Sequence, residues 1–378
     1  MEKRYLFTPG PTPVPPQVLA AMAEPMVHHR GSDFRLVYER ALSRLQEVYR
    51  TRAQVLLFAA SGTGAMDSAV ANLTTADQRV AVVTAGAFGE RWVAICEQYG
   101  LDVQRIAYEW GEAPNPDEVG AAVAESGAQV VFCTHSETST GVVSDVQSLK
   151  ASVGDAVLVV DAISSLGAVA LETDAWGVDV VLSGSQKALM CPPGLAMASV
   201  ADALWETLPP ARAFYFDWRR TRKAQEVFDA AFTPAVSLIR GLDVALGMLL
   251  DAGLDAAFER HTRLGRAARA GIKAMGLELF SPDDDSSSVV TVARVPDGVD
   301  GIELLRHLRD RHGVTLAPGQ GGLKGKIFRI GHIGWFDVFD IATALAAVEL
   351  VLADAGADIE RGAAVTRALD VYHEHARV

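Results

Sequence analysis

The sequence predicts an α/β fold in which helices cover both faces of a mostly parallel sheet. The main observation is a series of short, valine-rich apolar runs that alternate with helical or loop segments: "VLLFAA", "VAVVTAG", "VQRIAY", "VVFCTHS", "VLVVDAIS", "VDVVLSGS" and "LAMASV". These runs are continuously apolar, which is typical of strands that are buried on both faces. The length of 378 residues is too great for one small core, and it predicts a large domain with a smaller one.

The large domain follows a proline-rich, irregular N-terminal arm, which we assign to residues 1–20. An amphipathic helix is predicted from about Asp33 to Tyr49, because its apolar residues recur at helical spacing. The apolar runs come next, and from about Pro234 the pattern changes to one long helical stretch. We place the end of the large domain near residue 255, so that it spans residues 21–255.

The remaining residues, 256–378, are predicted to form a smaller C-terminal α+β domain. The strands expected after the long helical stretch are "LELF", "SSVVTVARV", "VTLAP" and "KIFRIGHIG". Two further helices are expected among them, and the last of these is "VFDIATALAAVELVLADAG".

Charge and composition exclude several classes of function. The formal net charge is −13, whereas a nucleic-acid interface requires a basic face. We find no apolar run of about 18 residues and no secretory signal at the N-terminus, so we expect a soluble cytoplasmic protein without a membrane partner. The three cysteines are widely spaced in apolar surroundings, and we expect neither a metal site nor a disulfide framework from them.

Polar residues follow three of the predicted strands, where a parallel sheet binds its ligands. Ser61, Gly62 and Thr63 open a helix, which suits a phosphate, although serine and threonine are also ordinary N-caps. Asp161 ends one strand and Lys187 follows another, where an isolated buried charge is costly. Pyridoxal phosphate needs such a lysine for a Schiff base, an acid beside its pyridinium nitrogen and a phosphate site. The three features together therefore predict this cofactor.

Five longer segments resemble the class V (subgroup IV) pyridoxal-phosphate aminotransferases: "SGTGAMDSAVANL", "VVFCTHSETSTGVV", "LVVDAISSLGAV", "GVDVVLSGSQKALMCPPGLAM" and "KGKIFRIGHIG". Within that group they are similar to the alanine–glyoxylate and serine–pyruvate branch. The resemblance extends from "LFTPGPTPVP" to the last predicted helix. It implies the type I aminotransferase fold and a homodimer with two active sites at the subunit interface.

The resemblance also implies roles for individual residues. Lys187 and Asp161 would be the catalytic residues, the first as Schiff-base lysine and proton carrier and the second as partner of the ring nitrogen. The other residues expected to bind the cofactor are Ser61, Gly62, Thr63, Phe88, Thr138, Ile163, Gln186 and Thr233. Phe88 stands where the compared alanine–glyoxylate enzymes have tryptophan. Thr233 would reach the phosphate of the neighbouring subunit.

The substrate α-carboxylate would be bound by Arg329, with Thr138 beside it. A guanidinium pairs with a carboxylate through two parallel hydrogen bonds, which also fixes the orientation of the substrate. An ordinary ion pair within a strand is the alternative interpretation of Arg329.

The predicted reaction is a ping-pong transamination from a small L-amino acid, alanine or serine, to a 2-oxo acid, glyoxylate or pyruvate. A 2-aminoethylphosphonate or phosphoserine transaminase is an alternative, for which Lys324 and Lys326 would supply positive charge near Arg329. A lyase of the cysteine desulfurase kind is disfavoured because no cysteine follows Cys191. A non-catalytic scaffold would need neither the lysine, the aspartate nor the arginine.

Overall fold

The computed structural model describes residues 3–285 and 287–374. Its strands in chain order are β1 (Tyr5–Leu6), β2 (Val55–Ala59), β3 (Arg79–Thr84), β4 (Asp102–Ala107), β5 (Val130–Thr134), β6 (Ser136–Glu137), β7 (Val142–Val143), β8 (Val157–Asp161), β9 (Val180–Gly184), β10 (Leu195–Val200), β11 (Val290–Arg294), β12 (Val314–Thr315), β13 (Ala317–Pro318) and β14 (Ile327–Gly331). All seven of the valine-rich apolar runs form strands of one sheet, which confirms the predicted α/β class.

The α-helices in chain order are α1 (Pro16–Met22), α2 (Ser32–Tyr49), α3 (Gly62–Leu73), α4 (Ala87–Gln98), α5 (Pro116–Ser126), α6 (Val146–Ser152), α7 (Trp218–Gln225), α8 (Val236–Ala252), α9 (Leu254–Ala274), α10 (Gly301–His312), α11 (Val338–Asp354) and α12 (Ala363–Glu374). Short 3₁₀ turns lie at Asp202–Glu206 and Gly321–Leu323.

The main sheet has the strand order β2-β10-β9-β8-β5-β3-β4. Every neighbouring pair is parallel except those of β10, which runs antiparallel to both β2 and β9. Alternate residues of β5 belong to opposite cores, since Val131 and Cys133 pack on one side and Val130 and Phe132 on the other. The sheet is therefore buried on both faces, which explains why its strands are mostly apolar. The edge strand β4 is the exception, since it contains polar residues and is largely exposed.

A second sheet, in the order β11-β14-β13, is antiparallel and packs on its own core with α9, α10, α11 and α12. The N-terminal strand β1 pairs in parallel with β12, so the first residues of the chain lie against this part of the structure. The division into an arm of residues 1–20 and domains of residues 21–255 and 256–378 stays a prediction.

The structure differs from the predicted elements in a few places. The long helical pattern after Pro234 forms two helices, because Gly253 has φ of 86° between α8 and α9. Helix α1 begins within the predicted arm, at Pro16, where proline suits the first helical turn. Helix α12 was not predicted, and "LELF" forms only an isolated bridge from Leu279 to Ala293.

None of the helices in residues 3–285 and 287–374 is long and apolar enough to cross a membrane. The same residues contain no group of three or more His, Cys, Asp or Glu side chains that could hold a metal ion. All three cysteines are buried as free thiols.

Candidate active site

A cavity of about 260 Å³ lies at the carboxyl end of the main sheet. Strands β8 and β9 are parallel neighbours, so Asp161 at the end of β8 and Lys187 just beyond β9 reach the same edge. Eight of the predicted site residues line this cavity: Ser61, Gly62, Thr63, Phe88, Asp161, Ile163, Gln186 and Lys187. Residues that are spread over more than 120 positions of the sequence thus line one cavity.

Lys187 is almost completely buried, with 8% of its surface exposed. Its Nζ donates a hydrogen bond to the carbonyl oxygen of Pro9 at 2.7 Å. The pKa of this lysine is lowered to about 8, mainly by burial. The negative charge of Asp161 opposes this effect, and the positive charges of Arg329 and Arg91 add to it. A minor fraction of the amine, about a tenth, is therefore neutral at pH 7.

Gly10 lets the N-terminal arm approach this lysine. Its φ is +143°, and a Cβ atom at this position would lie 2.4 Å from Nζ of Lys187. Only glycine fits such a contact without displacing the lysine, since the left-handed backbone also disfavours other residues. The arm therefore forms one wall of the cavity.

Asp161 is buried at the end of β8, and its Oδ1 accepts a hydrogen bond from the backbone N–H of Ile163 at 2.9 Å. Burial raises the pKa of this carboxyl to about 7, the hydrogen bond opposes the rise and the charge of Glu137 adds to it. A buried acid with so high a pKa gains stability when a cationic group binds beside it.

The start of helix α3 forms another part of the wall. Ser61 is its N-cap residue but makes no side-chain cap, so the first backbone N–H groups are available for an anion. A Cβ atom at Gly62 would lie 2.5 Å from Cδ1 of Ile163, which explains why glycine stands here. The helix start and Ile163 are therefore in close contact.

Arg91 lines the same cavity and was not among the predicted site residues. Its Nη1 donates to Oγ1 of Thr63 at 3.0 Å, and its guanidinium lies 4.8 Å from the ring centroid of Phe88. The spacing of three residues between Phe88 and Arg91 on helix α4 places both on one face, and this was the available signal. The guanidinium adds positive charge beside the helix start.

Thr138 and Arg329 are joined beside the cavity, although neither lines it. Arg329 is 5% exposed, and it donates from Nη1 to the carbonyl oxygen of Thr138 at 2.7 Å and from Nε to that of Pro318 at 2.9 Å. Burial lowers the pKa of Arg329 to about 10, and the negative charge of Glu137 opposes this effect. Both bonds go to backbone carbonyls, and among the described residues Arg329 does not form the ion pair of the alternative interpretation.

Thr233 lies elsewhere in this chain. It lines a separate small cavity with Tyr215 and Phe232, whose rings stack at 5.0 Å. The chain's own Lys187 cavity therefore receives nothing from Thr233, and the expected contact requires a second subunit.

The residues present fit pyridoxal phosphate. Two buried polar atoms that line the cavity, Oγ of Ser136 and Oε1 of Gln186, have no hydrogen-bond partner among the described residues. Such atoms are costly unless something binds to them. The cavity also offers an amine, an acid and a helix start, which match the aldehyde, ring nitrogen and phosphate of this cofactor.

The sequence matches the family model described as class V aminotransferase over residues 4–325. A protein of Synechococcus sp. named soluble hydrogenase, small subunit, is 42% identical over 94% of each chain. The L-aspartate–glyoxylate aminotransferase of Paracoccus denitrificans is 35% identical over 98% of this chain and 96% of the relative. Among solved structures, ureidoglycine–glyoxylate aminotransferase from Bacillus subtilis matches with a TM-score of 0.93 and 29% identity over 99% of both chains.

Proposed function

Because the chain belongs to the class V aminotransferases, we propose that it moves the amino group of a small L-amino acid, alanine or serine, to glyoxylate or pyruvate. The observation that supports this best is the meeting of Lys187, Asp161 and the start of α3 around one buried cavity. The relatives named as glyoxylate aminotransferases support glyoxylate as the acceptor. The two half-reactions would use the same site in turn.

We propose pyridoxal phosphate as the resident cofactor. Lys187 would bind it covalently and Asp161 would pair with its ring nitrogen. The residues that would hold the rest of it are Ser61, Gly62, Thr63, Phe88, Arg91, Thr138, Ile163 and Gln186. The bound cofactor supplies a protonated ring that withdraws electrons from the substrate Cα.

Lys187 would carry the proton of the reaction. A lysine can accept a proton only as a neutral amine, and burial already lowers its pKa to about 8. The neutral Nζ would take the proton from the substrate Cα and later return it. Its hydrogen bond to the carbonyl of Pro9 orients the amine within the cavity.

Arg329 would bind the substrate carboxylate. Two of its N–H groups are held by backbone carbonyls, which leaves the other donors of the rigid guanidinium for a carboxylate. These two anchors hold the guanidinium in one orientation beside the cavity, so the side chain has little conformational freedom to lose on binding.

A homodimer would complete each site. Thr233 lies next to an aromatic cluster of Phe214, Tyr215 and Phe232 that is partly exposed, with 70% of Phe214 accessible. Exposed aromatic clusters mark protein interfaces. In the proposed dimer this cluster is covered by the second subunit and Thr233 reaches the phosphate there. We propose the cytoplasm as the location of this dimer.

The phosphonate and phosphoserine alternatives are less well supported. Lys324 and Lys326 are both exposed, and neither lines the cavity. These two side chains therefore do not bring to the site the extra positive charge that a phosphonate would require.

The decisive experiment is a half-reaction without acceptor. Purified protein with pyridoxal phosphate is mixed separately with L-alanine, L-serine, L-aspartate and 2-aminoethylphosphonate, and the oxo product and cofactor absorbance are measured. The proposal predicts one equivalent of oxo acid per site with alanine or serine, and reversal by glyoxylate. Conversion by aspartate or the phosphonate alone would refute the proposed donor.

A further inference from the structure

Glu137, on strand β6, is a buried carboxylate that the reaction described above does not use. Only 2% of its surface is exposed. Its Oε2 accepts hydrogen bonds from the backbone N–H groups of Phe88 and Gly89, each at 3.0 Å. Its Oε1 accepts from the hydroxyl and the backbone N–H of Ser139. All four donors belong to uncharged groups, so this carboxylate binds backbone and hydroxyl and pairs with no cation through these bonds.

The two donors to Oε2 belong to the first turn of helix α4. The N-cap residue is Gly86, which has no side chain to cap the helix. Ala87 donates its N–H to Oγ of Ser139 at 2.9 Å, so Glu137 and Ser139 together satisfy the N–H groups of residues 87–89. A Cβ atom at Gly86 would lie 2.4 Å from Oγ of Ser139, which shows how closely the two segments pack. The cap of α4 is thus supplied by a segment 50 residues away.

This first turn supports two side chains of the cavity. Phe88 belongs to the turn, and Arg91 follows one turn later. Arg91 in turn donates to Thr63 at the start of α3. A shift of the first turn would therefore move the aromatic wall and the phosphate end of the cavity together.

The same carboxylate also lies near the charged groups of the site. Thr138, the next residue, accepts the hydrogen bond from Arg329. The negative charge of Glu137 raises the pKa of Arg329, against the larger opposing effect of burial, and adds to the raised pKa of Asp161. Removing this charge alters the electrostatics at both ends of the site.

We propose that Glu137 is a positioning residue, which with Ser139 holds the first turn of α4 and thereby fixes Phe88 and Arg91 at the cavity wall. Its effect on turnover rests on the proposed function, but its effect on the structure of α4 does not. The experiment therefore has one arm that needs neither cofactor nor substrate.

The first arm measures hydrogen–deuterium exchange of the cofactor-free protein. Glu137→Gln is nearly isosteric but places an amide N–H₂ where only acceptors fit. The backbone amides of residues 87–89 should exchange about 10-fold faster or more than in the wild type. Asp179→Asn is the control, because that carboxylate also accepts a backbone N–H, from Leu158 at 2.8 Å, but lies at the opposite end of the strands, where it also pairs with Lys150. It should leave residues 87–89 unchanged.

The second arm measures the bound cofactor. Glu137→Gln should raise the dissociation constant for pyridoxal phosphate, because the aromatic wall is displaced. For the same reason it should reduce the circular dichroism of the visible band of the cofactor. In turnover, kcat should fall about 10-fold or more while the KM of the amino acid changes less than threefold. If Glu137→Gln fails to fold, Ser139→Ala provides the test, since it removes only the cap on Ala87 and one partner of the carboxylate.

Unchanged exchange of residues 87–89 in both variants, with a wild-type dissociation constant for the cofactor, would overturn the proposal. A wild-type protein that fails to transaminate would instead refute the proposed function and leave the exchange result standing. The two failures are therefore distinguishable.

Discussion

Replacing Arg329 by lysine tests whether the guanidinium of Arg329 binds the substrate carboxylate. The change keeps the charge but removes the planar guanidinium, whose Nη1 and Nε hold Thr138 and Pro318. A single ammonium cannot keep both anchors and also bind a carboxylate through two bonds. A hydrogen bond to a charged group contributes about 1.5–3 kcal/mol, which corresponds to a roughly 10- to 150-fold loss of kcat/KM.

The assay is the rate of each half-reaction with L-alanine and with glyoxylate over a range of concentrations. Arg294→Lys is the matched control, because Arg294 belongs to the neighbouring strand β11 of the same sheet and is exposed. An amine substrate without a carboxylate provides a further check. Its reaction should be equally fast in the wild type and in Arg329→Lys, because it has no carboxylate for the guanidinium to bind. A loss of less than twofold with L-alanine, or an equal loss with the amine, would refute the role of Arg329.

Two more predictions follow from the buried groups of the cavity. The raised pKa of Asp161 means that its carboxyl favours folding of the cofactor-free protein below about pH 4, and that this contribution is lost as the pH rises towards 7. Asp161→Asn should remove this loss and stabilise the cofactor-free protein at pH 8 by roughly 2–4 kcal/mol in urea unfolding; an unchanged pH profile would contradict it. Gly10→Ala places a methyl group 2.4 Å from Nζ of Lys187, so it should weaken cofactor binding about 10-fold or more, measured by equilibrium titration. Gly100→Ala is the control, because no atom lies within 4 Å of its added Cβ, and equal affinities in the two variants would contradict the contact.

The fold was predictable where burial alone determines the pattern. Strands that are covered on both faces must be apolar throughout, and "VVFCT" or "VVLSG" could not be confused with exposed segments. The errors occurred where local signals compete. Gly253 ends a helix without interrupting the apolar pattern around it. The run "LELF" has the composition of a strand, but only Leu279 pairs, in a single bridge to Ala293.

The site was predictable to the extent that chemistry demands unusual residues at strand ends. Lys187 and Asp161 stand out because buried ionisable groups are rare there. Glu137 and Arg91 do not stand out, since their partners are backbone groups or a threonine that is remote in sequence. Thr233 could not be assigned to the Lys187 site from one chain, because within this chain it lines a separate cavity.

Borohydride reduction of the protein loaded with pyridoxal phosphate, followed by peptide mapping, tests the central claim most directly. Reduction would fix the cofactor to the amine that holds it. The account predicts one label per chain, at Lys187, and no label and no visible absorption of a covalently bound cofactor in Lys187→Ala. A label at any other lysine in the wild-type protein would contradict it.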